Sequence, residues 1–191
     1  MSPSFDLSEV EWATVGTVGE PGHRTFFLQA RQGDQHVTLK VEKQQVAALA
    51  QFIGEILSDL PAPESTLEDD ALALVEPVSA QWAVGSIQLA YEADSDRIFL
   101  VAEEVIIEEG GGDEDDEAAD PLLEPSIPGA GPPPDQGVAR FGLTRAQAAA
   151  LVRRGWDLVQ AGRPACPLCG NPMDAEGHSC PRTNGHRPHA R

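Results

Sequence analysis

The stretch Thr144–Cys180 reads TRAQAAALVRRGWDLVQAGRPACPLCGNPMDAEGHSC, and the prediction of the fold starts from it. Its first half has apolar residues at helical spacing, which places them on one face of a helix: Ala148, Leu151, Val152, Leu158 and Val159. Thr144 suits the start of this helix, because its hydroxyl can accept a hydrogen bond from an amide of the first turn. Gly162 and Pro164 are typical of a helix end. The second half holds all three cysteines of the chain, so a helix over 144–162 is predicted to lead into a cysteine-rich tail.

An earlier part of the chain has a matching helix pattern. The run EKQQVAALAQFIGEIL at 42–57 aligns with TRAQAAALVRRGWDLV at 144–159, and it predicts a helix that continues to residue 60. The aligned pairs include Lys43 with Arg145, Gln45 with Gln147, and Leu49 with Leu151. Each helix follows, in the same order, a β-prone run that begins at Trp12 or Trp82 and then a second apolar run.

This repeated order predicts how the chain is organised. Residues 1–163 are expected to form a domain of two related β-β-β-α units, the first over 1–60 and the second over 77–163. The predicted fold class is α+β, with an antiparallel sheet of about six strands and two helices on one face of it. A small C-terminal zinc knuckle is predicted to follow in a separate tail over 164–191.

Local signals place strands within these units. Gln35–Glu42 alternates apolar and polar residues, as a half-buried strand does, and Gly33 with the following aspartate predicts a tight hairpin before it. A long strand is predicted over 78–91, with a bulge or bend at Gly85. Residues 1–10 are expected to be loose or to form a short turn.

A polar insert interrupts the second unit at 109–137. It contains GGGDEDDEAAD and PSIPGAGPPPD, so it combines high charge with much glycine and proline and few apolar residues. Such a composition cannot bury enough apolar surface to offset the entropy of ordering, and we expect the insert to be disordered.

The net charge of the chain is −18 over 191 residues, and it is unevenly distributed. Residues 1–108 carry −14 and the insert carries −9, whereas residues 138–191 carry +5. An acidic body opposes broad electrostatic capture of nucleic acid, and the C-terminal arginines are expected to face this body. The chain has no apolar run long enough to span a membrane and no secretory signal at its first residues, so we expect a cytoplasmic protein with no membrane partner.

The three cysteines predict a metal site. Cys166 and Cys169 form a C-x2-C pair, and Cys180 is the obvious third ligand of a tetrahedral zinc. The fourth ligand is predicted to be either His178, the nearer residue, or His186, whose spacing is closer to that of ordinary zinc fingers. Four protein ligands would close the coordination shell, which is typical of a structural zinc. A redox-active C-x2-C pair is the competing interpretation, but the Gly-Asn-Pro that follows Cys169 opposes the helix that such motifs usually begin.

The chain resembles an uncharacterised actinobacterial family known as a domain of unknown function. The resemblance rests on CPLCGNPMDAEGHSCPRTNG, on the helix before it, and on the opening run EWATVGTVGEPGHRTFFLQA, so it covers nearly the whole chain. It implies a cytoplasmic protein with a zinc-binding tail. The typical ending G-H-x-C-P-R-x-N-G is matched at 177–185, which favours His178 as the fourth ligand beside Cys166, Cys169 and Cys180.

Three functions are compatible with these features. The first is a non-enzymatic protein-interaction module stabilised by structural zinc, and it is the one that the acidic body and the closed metal shell favour. The second is a nucleic-acid-binding protein that uses the arginines of residues 140–191. The third is an enzyme with a site between the two units. No residue set with the spacing of a known catalytic motif is recognisable in the sequence, so no catalytic residue is predicted.

Overall fold

The computed structural model describes residues 2–20, 22–63, 65–67, 72–106, 135–161, 166–169, 180 and 182. These residues form seven strands and two helices: β1 Phe5–Leu7, β2 Trp12–Val18, β3 Thr25–Gln32, β4 Gln35–Val41, α1 Lys43–Ser58, β5 Trp82–Glu92, β6 Arg97–Glu104, β7 Val138–Thr144 and α2 Arg145–Gln160. The α+β class and the two helices are as predicted. Neither helix is long and apolar enough to cross a membrane.

All seven strands belong to one sheet, in the order β1-β7-β6-β5-β4-β3-β2. Strands β2, β3 and β4 form an antiparallel meander, and so do β5, β6 and β7. The prediction of a wholly antiparallel sheet is wrong, because β4 pairs with β5 in parallel and β1 pairs with β7 in parallel. Parallel neighbours need a crossover connection, and α1 with the segment after it supplies one between β4 and β5.

Strand β1 was not predicted, and it changes the shape of the sheet. Phe5 and Leu7 pair with β7, at one end of the strand order, while β2 follows after a short link at the other end. That link is bonded to both ends: the amide of Val10 donates to Gly142 O of β7 at 3.2 Å, and the amide of Glu11 donates to Arg31 O of β3 at 2.9 Å. The link between β1 and β2 therefore bridges the two ends of a curved sheet.

The two helices pack against the same face of this curved sheet. Residues of both helices belong to one buried cluster with alternate residues of the strands, and cross-strand neighbours such as Val15, Leu28 and Leu39 are in register. The helices also pack on each other, and a Cβ built on Gly155 of α2 would lie only 3.2 Å from Ala50 Cβ of α1. The core thus lies between the curved sheet and a closely packed helix pair.

The opposite face of the first meander is covered by the segment before β5. Thr14 and Gln29 are fully buried there, although both are polar. Thr14 Oγ1 donates to Leu72 O at 2.6 Å, and Gln29 exchanges two hydrogen bonds with the backbone of Val75, at 2.8 and 3.1 Å. Their burial costs little because each polar group has a partner.

The insert predicted over 109–137 lies mostly outside the described residues. Its last three residues, Asp135–Gly137, are described and lie against the end of β6. The amide of Glu104 donates to Gly137 O at 2.8 Å, and Gln136 Nε2 donates to Glu104 O at 2.7 Å. The described end of the insert is therefore held against the end of β6.

Candidate metal centre

The three cysteines lie together in the C-terminal tail. Their Sγ atoms are all within 4.8 Å of one another, and Cys166 Sγ is 3.9 Å from Cys180 Sγ. Two thiolates on one tetrahedral zinc, each about 2.3 Å from the metal, are about 3.8 Å apart. The observed distance between these two sulfurs is compatible with two ligands of one metal ion.

Local sequence explains how the cysteines meet. Cys166 and Cys169 flank Pro167-Leu168 in a turn, so their side chains lie on the same side of the chain, and Cys180 is brought back against them. Cys166 and Cys180 are 3% and 0% exposed, whereas Cys169 is only partly buried. The three residues form a small buried cluster of their own, separate from the main core.

The cysteines are free thiols, not a disulfide. A disulfide requires a sulfur–sulfur distance of about 2.05 Å, roughly half the separation of Cys166 and Cys180. Cys166, Cys169 and Cys180 are close enough together to hold one metal ion.

The fourth ligand stays a prediction. His178, His186 and the later His189 all lie outside the described residues. Within the part of the chain that is described, the group of residues able to hold a metal consists of the three cysteines, and every one of them was named from the sequence.

Arg140 and Arg145 contact the acidic body, and the expectation that the arginines of the tail do so stays a prediction. Arg140 lies with its Cζ 3.6 Å from the centre of the Phe99 ring and its Nη1 3.6 Å from Asp6 Oδ1. Arg145 Nη2 is 3.0 Å from Asp96 Oδ2. These contacts pair two positive charges of residues 138–191 with acidic groups of the same chain.

Comparison with known families finds one match. The family model DUF3090, described as a protein of unknown function, matches residues 5–180 and so includes both the curved sheet and the cysteine cluster. No curated protein and no solved structure matches the chain.

Proposed function

The chain belongs to the DUF3090 family of proteins of unknown function, and from its geometry we propose a cytoplasmic, non-enzymatic protein-interaction module with a structural zinc site. The observation that carries this proposal is the cluster of three cysteine sulfurs within 4.8 Å. Thiolates are soft ligands that suit zinc and do not suit calcium or magnesium.

The proposed zinc has a structural role. Cys166, Cys169 and Cys180 would supply three ligands and His178 the fourth, which leaves no open position for a substrate or a water. The tail from residue 164 onward has few large apolar residues, so burial of side chains cannot order it alone. Metal binding would contribute the folding free energy of the tail directly.

Removing the metal therefore tests the structural role. We expect a chelator to make the tail sensitive to protease while the body keeps its unfolding transition, since the cysteine cluster and the main core are separate. Limited proteolysis with mass spectrometry, beside thermal unfolding, measures both effects. A tail that resists protease equally with and without metal would contradict the role.

A protein partner is favoured over a nucleic acid by the distribution of charge. Residues 1–108 carry −14, and Arg140 and Arg145 form ion pairs within the chain. Neutralised arginines contribute little to phosphate binding. The alternative, nucleic-acid binding through residues 140–191, predicts binding to DNA or RNA pools at about 50 mM salt that is lost near 200 mM. We expect no binding at either concentration.

The shared element order of the two meander-plus-helix segments supports the proposal that they are an internal repeat. Each segment has three antiparallel strands followed by a helix, and each helix begins with a capping box whose third helical residue is a glutamine, Gln45 or Gln147. The third hypothesis, an enzyme with a site between the two units, would place that site where α1 of the first unit meets β5 of the second.

A further inference from the structure

Each helix packs against the first strand of the other meander-plus-helix segment, but the two helices bury these strands to different extents. Helix α2 lies against β2, and α1 lies against β5. Strand pairing identifies equivalent positions in the two segments. Ala13 pairs with Ala30 as Ile87 pairs with Ala102, so Ala13 corresponds to Ile87. In the same way Val15, which pairs with Leu28, corresponds to Leu89, which pairs with Leu100. Ala13 and Val15 are 2% and 0% exposed, whereas Ile87 and Leu89 stay partly exposed. One of two equivalent junctions is thus left open.

The open junction is an apolar groove of about 310 Å³ between α1 and β5, which we call the α1–β5 groove. It is lined by four apolar residues and one carboxylate: Phe52, Ile56, Ile87, Leu89 and Glu55. Phe52 is 48% exposed, although it lies next to three other apolar side chains. An aromatic residue at the edge of an apolar groove is a common anchor point for a protein partner.

The carboxylate of Glu55 in the groove indicates the charge that a partner should carry. The Glu55 carboxylate accepts a hydrogen bond from Gln51 Nε2 at 3.1 Å, and no cationic group of the described residues forms an ion pair with it. The first 108 residues, which include every residue that lines the groove, carry a net charge of −14. A lysine or arginine beside an apolar anchor would complement this carboxylate.

Chemistry favours a peptide over a small-molecule substrate or cofactor in this groove. The groove volume is at the lower end of the range for small-molecule pockets, about 300–1,000 Å³, and Glu55 is the only charged residue among those that line it. Catalysis needs several convergent polar groups, and this groove offers one carboxylate. It fits the apolar side chains of a peptide better than a cofactor or substrate.

We propose that the α1–β5 groove is the docking site for a peptide segment of a partner protein, with apolar side chains that enter the groove and a lysine or arginine that pairs with Glu55. This inference rests on the proposed interaction function and names the surface that performs it. Peptides of this kind bind apolar grooves through a few anchor residues at regular spacing.

Selection of random peptides on the full-length protein tests the proposal. We expect the selected peptides to combine large apolar residues with lysine or arginine, and a synthetic peptide from the selection to bind wild-type protein. Phe52→Ala should weaken that binding about tenfold or more, as loss of an anchor does. Glu55→Gln should weaken it less, and only for peptides that carry the basic residue.

Trp156→Ala is the matched control, because Trp156 is an exposed aromatic residue on the other helix, 36% exposed, and does not line the groove. It should leave peptide binding unchanged. Peptides that bind equally to wild type and Phe52→Ala would overturn the groove and leave the interaction function standing. Selection of acidic peptides would overturn the proposed pairing. Selection of no peptide would overturn both proposals. If the wild-type protein forms dimers that Phe52→Ala dissociates, the occupant of the groove is a second copy of this chain and not a peptide of a partner.

Discussion

Gly142 of β7 occupies a position with no room for a side chain. A Cβ built there would lie 2.1 Å from Ser8 O, in the link that joins β1 to β2, and 2.7 Å from Phe99 Cε1. The carbonyl of Gly142 accepts the amide of Val10 from the same link. The absence of a side chain at this glycine allows the link to pack against β7.

Gly142→Ala is expected to lower the free energy of unfolding by about 1–3 kcal/mol, since the added methyl group must displace backbone atoms. Gly54→Ala is the matched control. Gly54 is in the middle of α1, and the nearest atom to its built Cβ is Val152 Cγ1 at 4.0 Å. It should raise stability by about 0.5–1 kcal/mol through helix propensity. Urea unfolding of both variants checks the pair, and a Gly142→Ala variant as stable as the wild type would show that the link is not tightly packed on β7.

Each helix is fixed to the opposite segment by the glutamine at its third position. Gln45 Nε2 donates to Val84 O of β5 at 3.0 Å, and Gln147 Nε2 donates to Val10 O, just before β2, at 2.7 Å. In both cases the side-chain oxygen accepts the amide of the N-cap residue, at 2.9 Å for Gln45 and 2.8 Å for Gln147. The glutamine therefore caps its own helix and also joins it to a strand of the other segment.

Gln147→Ala is expected to destabilise the protein by about 1–3 kcal/mol, because the buried Val10 carbonyl and the Thr144 amide both lose their partner. Gln45→Ala removes equivalent hydrogen bonds, but Gln45 is more exposed than Gln147, which is 7% exposed. Because water can replace the lost bonds there, the loss of stability should be smaller. Thermal or urea unfolding of the two variants gives the comparison. A larger loss for Gln45→Ala would contradict this assignment.

Individual elements were predictable where local sequence determines them. The hairpin at Gly33 was predicted, and Gly33 adopts a φ of +57° between β3 and β4. The bulge at Gly85 was also predicted, and the pairing of β5 with β6 shifts register between Val84 and Ser86. The alignment of Gln45 with Gln147 was visible in the sequence, but its meaning depends on contacts between distant parts of the chain.

At the scale of the whole molecule, the strand order and the parallel pairs depend on contacts between distant residues, which the sequence pattern does not reveal. Strand β1 has only three residues, and it is a strand because Phe5–Leu7 pair with β7. That contact and the β4–β5 pair are the two parallel pairs of the sheet. The α1–β5 groove was equally hidden, since Ile87 and Leu89 alternate with polar residues like any half-buried strand.

The acidic insert is expected to be dispensable for folding. The backbone of Glu104, before the insert, is hydrogen-bonded to that of Gly137, its last residue, so a short connection can replace residues 110–134. Loop-closure entropy changes by only about 0.6 kcal/mol for each doubling of loop length. Deleting residues 110–134 should therefore shift the thermal unfolding temperature by a few degrees at most, and loss of the cooperative transition would contradict the prediction.

The metal content of the purified protein is the most direct test of the central claim, a structural zinc held by the cysteine cluster. Elemental analysis of protein purified without added metal should give about one zinc per chain. Cys180→Ser should abolish zinc binding, and His178→Ala should lower it more than His186→Ala does. Wild-type protein that carries no zinc, with its three thiols reduced and its tail still resistant to protease, would contradict the account.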